Sequence, residues 1–151
     1  MNEKIKSQKS LHFVLSSDWN FKMMNRPFKL LTSVYYKYLW DLIPYRLDNV
    51  RIRYTAQNNA VGYAAGMDVK LFGEFINGID SWITLSLMQT EQDIEGDGKG
   101  YIPRPTDQIF NLSVSFQDYL PNMPWMRVYL NLNYGSGYPY YPPNSNEHFR
   151  Y

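Results

Sequence analysis

The sequence predicts an all-β protein, an antiparallel up-and-down meander of about six amphipathic strands. Apolar and polar residues alternate along most of the chain, and successive side chains of a strand point to opposite faces of a sheet. The connections between the alternating segments are short and long in turn. This pattern places tight turns at one end of the sheet and long loops at the other.

The clearest strand lies within Ile109–Asp118. From Phe110 to Gln117 the even-numbered residues are apolar and the odd-numbered residues are polar, which a strand sorts onto two faces and a helix would mix. The apolar set is Phe110, Leu112, Val114 and Phe116, and the polar set is Asn111, Ser113, Ser115 and Gln117.

Five further segments show the same alternation, and most of the six strands are predicted to be about ten residues long. In chain order they are Leu11–Phe21, Phe28–Lys37, Met67–Phe75, Ile83–Leu87 and Arg127–Tyr134. A shorter alternation from Val50 to Tyr54 predicts a strand that extends beyond the main sheet. The chain is thus read as one domain, residues 1–151, with strands over roughly 10–135 and a loop over 136–151.

The connections supply the turn chemistry that this meander needs. The short ones are Lys22–Pro27, Ile76–Asp80 with its Asn77-Gly78 turn signal, and Leu120–Pro124. The long ones are Leu39–Asn59, Glu91–Asp107 and the stretch that begins at Gly135.

The composition excludes several classes of function. Lys plus Arg is 15 and Asp plus Glu is 14, a net charge of +1 that provides no strong attraction for nucleic acid. There is no cysteine, which excludes a disulfide framework, a zinc ribbon and a thiol nucleophile. His12 and His148 stand at opposite ends of the chain, so we expect neither a multi-histidine metal site nor a cofactor.

The sequence contains neither a spanning helix nor an export signal. No apolar run is longer than three residues, whereas a membrane-spanning helix needs roughly 20 apolar residues. The first 13 residues, MNEKIKSQKSLHF, have the positive start of a signal peptide without its apolar region, so we expect no signal peptide in this chain.

Alternation alone is compatible with a soluble sandwich or barrel as well as with a membrane-spanning barrel. Three features favour part of a transmembrane β-barrel. The strands match the ~9–11 residues that cross a bilayer at a tilt, the polar face is rich in Asn, Ser and Thr as in a water-filled lumen, and aromatic residues gather at strand ends. These aromatic residues are Phe21, Phe28, Phe75, Trp82, Tyr119 and Trp125. Trp82, Tyr119 and Trp125 have the parity of the polar face, so they reach lipid only through a bulge or pack inside the barrel wall.

In such a barrel one face of the sheet contacts lipid and the other lines the lumen. The predicted lipid-facing residues are Phe110, Leu112, Val114, Phe116, Val128, Leu130 and Leu132. The predicted lumen-facing polar residues are Asp68, Lys70, Glu74, Asn111, Ser113, Arg127, Asn131 and Asn133. The charged members of the second set are predicted to form a charge ladder across strands, with a substrate contact as the alternative.

Particular sequence strings provide evidence beyond the periodicity. In order they are NRPFKL at 25–30, YYKYLWDLIPY at 35–45, DNVRIRY at 48–54, AAGMDVKLFGEF at 64–75, DSWITLSLM at 80–88, PRPTDQ at 103–108, QDYLP at 117–121 and YGSGYPYYPPN at 134–144. Together they resemble the barrel of TonB-dependent outer-membrane receptors, in the form common among Bacteroidetes. The resemblance covers residues 10–144 and rests on the order and spacing of the strings rather than on any one of them.

The resemblance implies a large closed barrel of about 22 strands, with a plug domain inside it, in the cell outer membrane. It implies energised import of a nutrient, and four partners: outer-membrane lipid, the rest of the barrel, the plug and, through the plug, an energy-transducing inner-membrane complex. Because the chain has about six strands and no plug, we expect a partial barrel segment that is not functional alone. The sequence does not specify the imported nutrient.

The main alternative is a soluble all-β glycan-binding module with aromatic platforms. An enzyme is not expected, because no Ser/His/Asp order, P-loop or Rossmann fingerprint occurs. Paired carboxylates such as Asp68 and Glu74 make a glycosidase only at a defined separation, which a sequence does not supply.

Two loops hold weaker candidates. Asp93, Glu95 and Asp97 resemble the start of a calcium loop, but Arg104 stands where a bidentate Glu is required, which favours a solvated loop. Near the C-terminus, tyrosines alternate with prolines, an arrangement that suits a rigid loop at the membrane surface or, alternatively, stacking on sugars or bases. These tyrosines are Tyr138, Tyr140, Tyr141 and Tyr151.

Overall fold

A computed structural model of the chain describes residues 5–48, 51–76, 78–120 and 122–139, and within them it contains strands and turns but no helix. The strands are β1 (Lys9–Met23), β2 (Arg26–Leu42), β3 (Tyr45–Asp48), β4 (Arg51–Tyr54), β5 (Ala60–Ile76), β6 (Ile79–Ile94), β7 (Ile102–Pro103), β8 (Phe110–Leu120) and β9 (Met123–Gly135).

The main sheet is an antiparallel meander in the order β1-β2-β5-β6-β8-β9, with the short β7 paired to β6. This confirms the all-β up-and-down fold that the sequence predicts. The sheet does not close, so β1 and β9 are its two edges. The short strand predicted near Tyr54 is β4, which pairs with β3 in a separate two-stranded sheet rather than with the main one, while Val50 lies outside the described residues.

The six long strands have 15, 17, 17, 16, 11 and 13 residues, so the predicted length of about ten is wrong for most of them. Beyond the apolar stretch each pair continues toward the long connections with aromatic and polar residues. The sequence prediction starts β5 at Met67, but the strand begins at Ala60. Its first part, AVGYAAG, is rich in Ala and Gly, which are depleted in strands, and therefore carries little sequence signal.

The short turns lie at one end of the sheet, as predicted. Met24 and Asn25 both have positive φ, 53° and 60°, which is the backbone of a type I′ hairpin turn and matches the right-handed twist of the flanking strands. Gly78 at 78° and Asn122 at 69° serve the other two turns, and Asn77 lies outside the described residues.

Register places residues of one face opposite residues of the same face across all six long strands. Residues directly opposite one another in an antiparallel pair share a face. Leu30 of β2, for example, stands between Trp19 of β1 and Leu71 of β5. The alternation along each strand therefore gives the whole sheet one apolar face and one polar face.

The described sheet is a single layer and has very little protein core. Its hydrophobic cluster consists of Leu39, Leu42 and Ala60 with Ile94 packed against it, near the long-connection end. On the apolar face Leu15 is 77% exposed and Leu132 is 59% exposed. No second layer covers this face within the described residues.

Two glycines accept aromatic rings from β2. The Phe28 ring lies over Gly73 on the apolar face, and the Tyr35 ring lies over Gly66 on the polar face, in both cases where a Cβ would overlap the ring. The interlock explains why β5 contains glycines at these positions despite their low strand propensity.

The long connection after β6 folds back onto that strand. The Asp107 side chain is buried, 1% exposed, and its Oδ1 accepts a hydrogen bond of 2.7 Å from the Thr90 backbone N–H. The Arg104 backbone N–H donates to the Thr90 carbonyl at 3.0 Å. Asp107 and Arg104 thus satisfy the Thr90 backbone on the edge of β6 that β8 does not reach, while β5 pairs with the other edge.

Replacing Gly73 by Ala should destabilise the sheet by about 1–3 kcal/mol, because the new methyl group overlaps the Phe28 ring. The measurement is the free energy of unfolding in urea in detergent micelles, followed by tryptophan fluorescence. The matched control is the same change in a Phe28→Ala background, where the ring is gone and Gly73→Ala should cost much less. An equal cost in the two backgrounds would contradict the interlock.

Replacing Asp107 by Ala should increase the rate of amide hydrogen exchange at Thr90 and cost about 1–3 kcal/mol, because a buried N–H loses its acceptor. Asp107→Asn keeps an Oδ1 acceptor and should perturb Thr90 less. Asp97→Ala removes an acceptor from Lys99 in the same connection and is the control. Unchanged exchange at Thr90 in Asp107→Ala would show that the carboxylate does not hold the strand.

Candidate functional site

The candidate functional site is the pair of faces of the main sheet rather than a pocket. All of the predicted lipid-facing residues lie on one face. Across β8 and β9, Phe116 stands opposite Leu130 and Val114 opposite Leu132. Val128 follows on the same side of β9, where it stands directly opposite Asp118.

The apolar face continues through four rows from β1 to β9. The rows are Leu15, Val34, Met67, Leu87 and Phe110; Ser17, Thr32, Val69, Leu85, Leu112 and Tyr134; Trp19, Leu30, Leu71, Ile83, Val114 and Leu132; and Phe21, Phe28, Gly73, Ser81, Phe116 and Leu130. Charged residues are absent from these four rows, and the small polar residues in them are Ser17, Thr32 and Ser81.

Aromatic rings mark the short-turn end of this face. The Trp19 and Phe21 rings are 5.1 Å apart, Phe21 and Phe28 are 5.9 Å apart, and Phe28 and Phe75 are 5.3 Å apart. These separations are those of favourable ring pairs. The prediction that Phe21, Phe28 and Phe75 gather at the turn is confirmed.

A second aromatic group at the long-connection end was missed by the sequence reasoning. Tyr36 stacks on Tyr63 at 6.2 Å, and Tyr38 on Trp40 at 5.8 Å. Phe13 lies directly opposite Tyr36. The signal was present in the sequence, since Tyr36 and Tyr38 continue the parity of Val34.

The two aromatic groups bracket the apolar rows. From Phe13 to Phe21 of β1 is eight residues, or about 27 Å along a strand. At a tilt of about 40° this becomes roughly 21 Å in height, close to the ~25 Å apolar band of outer-membrane barrels. The two aromatic borders are therefore separated by about the height of one such apolar band.

Trp82 and Tyr119 do not join the short-turn aromatic group. Trp82 stands between Phe72 and Ser115 on the polar face, where its ring lies 5.8 Å from Tyr129. Tyr119 stands opposite Arg127, whose guanidinium lies 5.3 Å from the tyrosine ring. A register irregularity does follow Tyr119, but it comes after these positions and leaves both rings on the polar side. Trp82 and Tyr119 thus lie on the polar face of the sheet, as their parity predicts, and no bulge carries them to the apolar face.

Trp125 lies beyond the same irregularity in β9 and is 80% exposed. It has no direct partner in the β8–β9 register, because Leu120 pairs with Met123 and Tyr119 with Arg127. Trp125 therefore lies exposed at the short-turn end of the sheet, and the register of the described strands places no residue directly opposite it.

The predicted lumen-facing residues share the opposite face. Asp68, Ser86 and Asn111 form one row, and Lys70, Thr84, Ser113 and Asn133 form the next. Glu74, Asn131 and Arg127 lie on the same side by alternation. The structure therefore brings the predicted set onto one surface.

Short polar side chains on this face hydrogen-bond across strands. The Ser16 and Ser33 hydroxyls are 2.7 Å apart, and Asn131 Oδ1 accepts from the hydroxyls of Ser113 at 3.1 Å and Ser115 at 3.2 Å. Such cross-strand pairs each contribute roughly 0.2–1 kcal/mol. Hydroxyl and amide groups thus link neighbouring strands at several points of the polar face, which also carries Val14, Leu31 and Phe72.

The predicted charge ladder is wrong in its partners. Asp68, Lys70 and Glu74 are on β5, and two strands separate them from Arg127 on β9. Arg127 pairs instead with Asp80 at 3.7 Å, and the Lys70 ammonium lies 4.6 Å from the Phe72 ring centroid. The sequence lists charges by strand but does not determine which strands become neighbours.

Two depressions indent the polar side. The larger, of about 800 Å³, lies near the short turns and is lined in part by Asn20, Lys29, Phe72, Trp82 and Gln117. The smaller, of about 350 Å³, includes His12, Ser33 and Tyr35. Hydrogen-bonding groups beside aromatic rings can bind a polar solute. The apolar face, in contrast, is stabilised only by contact with other apolar groups.

Within the described residues, the structure shows no metal site at the two loop candidates. Asp97 Oδ1 accepts from the Lys99 backbone N–H at 2.9 Å, as in a polar turn. No group of three or more His, Asp or Glu side chains is placed to hold a metal ion in the described part of the chain. Tyr138 is exposed, and Tyr140, Tyr141 and Tyr151 lie outside the described residues.

In the part of the chain that the structure describes, no helix has the length and apolar character of a membrane span. No protein-family model, curated protein or solved structure matches this chain. The functional interpretation therefore rests on the geometry of the two faces.

Proposed function

We propose that the chain is part of the wall of a TonB-dependent outer-membrane receptor, a transporter that imports a nutrient across the outer membrane. The observation that carries the proposal is the uncovered apolar face, four rows high and six strands wide, with aromatic rings at both borders. The geometry of this face supports a barrel wall in a membrane, and the choice of receptor family rests on the resemblance of the sequence strings.

The energetics of the apolar face favour hydrocarbon as its environment. Each Å² of apolar surface removed from water contributes roughly 25 cal/mol, and side chains such as Val34 at 52% exposed and Leu130 at 52% exposed have nothing over them. A soluble sandwich would cover such a face with a second sheet about 10 Å away. The described sheet is a single layer, and lipid chains would supply the missing cover.

The opposite face suits a water-filled lumen. Several of its hydroxyl and amide groups are hydrogen-bonded to one another, as Asn131 is to Ser113 and Ser115, and its ion pairs include Lys29 with Asp18 at 2.8 Å. Short polar groups that are paired in this way are stable in contact with water, and they attract neither anions nor cations strongly. A solute or a plug domain would pass or sit against this wall.

The remaining parts of the receptor follow from the open edges. A six-stranded sheet falls short of the about eight strands of the smallest bacterial barrels, and unpaired edges are costly in lipid. In the complete receptor the other barrel strands would pair with β1 and β9. The plug would fill the lumen and connect the receptor to the energy-transducing complex of the inner membrane.

The face assignment is tested with two adjacent substitutions in a receptor that contains this segment. Leu112 lies in the second apolar row, midway between the aromatic borders, and Ser113 lies next to it on the polar face. Leu112→Arg should cost about 2–4 kcal/mol, because it places a charge near the bilayer midplane. Ser113→Arg, which places the same charge on the wet side, should cost much less.

The measurement is the free energy of unfolding of the membrane-inserted barrel in urea. Equal losses for Leu112→Arg and Ser113→Arg would contradict the assignment of the two faces. A water-soluble, monodisperse monomer of the chain made without detergent would instead support the soluble glycan-binding module.

A further inference from the structure

We propose that the smaller depression on the polar face binds a short peptide with free ends. In this arrangement Lys37 holds the carboxylate of the peptide and Asp68 holds its ammonium group. Both side chains line the depression, which has a volume of about 350 Å³. The inference rests on the proposed function, and it names free short peptides as a class of solute that the receptor wall recognises.

Lys37 and Asp68 are half-buried charges without an ion pair. In the part of the chain that the structure describes, neither of them forms a salt bridge. Other lysines of this face are compensated, since Lys29 pairs with Asp18 at 2.8 Å and the Lys70 ammonium lies over an aromatic ring. A charge that is partly removed from water without a partner is costly. A ligand that supplies the two opposite charges would offset this cost.

The strand register separates the two charges along the sheet. Lys37 of β2 stands opposite Ala64 of β5, and Asp68 follows four residues after Ala64. Four residues of a strand extend about 13 Å. At this separation the two side chains do not pair with each other, so one ligand satisfies both of them only if it carries opposite charges at its two ends.

Small residues keep the space between the two charges open. Ala64 stands beside Lys37 and offers it only a methyl group. Because Gly66 has no side chain, the Tyr35 ring lies against the backbone of β5. Tyr35 is at the level between the two charges, and a phenol hydroxyl can hydrogen-bond a peptide group. His12 of β1 stands opposite Lys37 and adds an imidazole to the end where the carboxylate would lie.

The spacing favours a peptide of about three residues. An extended peptide advances roughly 3.3–3.6 Å per residue, so a tripeptide is about 10 Å long. The flexible lysine side chain covers the rest of the distance. A free amino acid carries both charged groups on one carbon and is too short to reach both Lys37 and Asp68. The depression is also at the small end of the about 300–1,000 Å³ that is usual for ligand pockets.

Isothermal titration calorimetry tests the inference on a folded receptor that contains this segment, in detergent micelles. The ligands are trialanine, trialanine amide, N-acetyl-trialanine and free alanine. We expect trialanine to bind and each of the other three to bind about tenfold or more weakly, because each of them loses a charged hydrogen bond at one end of the site.

Two substitutions assign the ends of the peptide. Lys37→Met should bind trialanine and trialanine amide equally, and it should still prefer trialanine to the acetylated peptide. Asp68→Asn should show the reverse pattern. The preference that each variant retains also shows that its site is still folded. Lys29→Met removes a lysine of the same face outside this depression, so it is the matched control and should leave all four affinities unchanged.

Absence of trialanine binding, equal binding of free and blocked peptides, or a retained preference for the free carboxylate in Lys37→Met would each overturn the proposal. Equally tight binding of free alanine would overturn it as well. None of these outcomes reports on which face contacts lipid. The failure of this inference is therefore distinguishable from failure of the receptor assignment, which the Leu112→Arg and Ser113→Arg comparison tests.

Discussion

The structure depends on one constraint: a single-layered sheet with an apolar face must find its cover outside itself. Backbone hydrogen bonds hold the six long strands together in the plane of the sheet, but they do nothing for side chains such as Leu15 and Leu132, which stand open on one side. In a soluble domain a second sheet or a helix would remove that surface from water. Here the register extends the apolar surface evenly across every long strand, which is the pattern of a wall between two different solvents.

The details of the wall follow from this division. Rings lie at both borders of the apolar rows, where an amphipathic side chain can contact hydrocarbon and water together. Phe28 over Gly73 and Tyr35 over Gly66 fill the gaps that glycines leave, one on each face. On the polar face, Asn131 Oδ1 accepts hydrogen bonds from the Ser113 and Ser115 hydroxyls, which links β8 to β9. At the long-connection end, Asp107 accepts the Thr90 N–H on the edge of β6 that β8 does not reach.

Much of this could be predicted from the sequence, because a period of two carries both the strand assignment and the face assignment. The residues predicted to face lipid, from Phe110 to Leu132, and the predicted polar set, from Asp68 to Asn133, fall on opposite faces as their parity requires. The start of β5 could not be predicted, since Ala and Gly there look like a loop until the Tyr35 ring is placed over Gly66. The partner of Arg127 could not be predicted either, because it depends on strand order and on the reach of Asp80 across β8. The loop-side tyrosines were predictable in principle, since Tyr36 and Tyr38 share the parity of Val34.

The most direct test of the central claim compares two neighbouring positions on β6 in the membrane-inserted protein. Nitroxide labels at Leu85 on the apolar face and at Thr84 on the polar face are measured for collision with oxygen, which concentrates in hydrocarbon, and with a water-soluble nickel complex. We expect Leu85 to be accessible mainly to oxygen and Thr84 mainly to nickel. Comparable accessibility of both positions to nickel would show that the apolar face does not contact lipid.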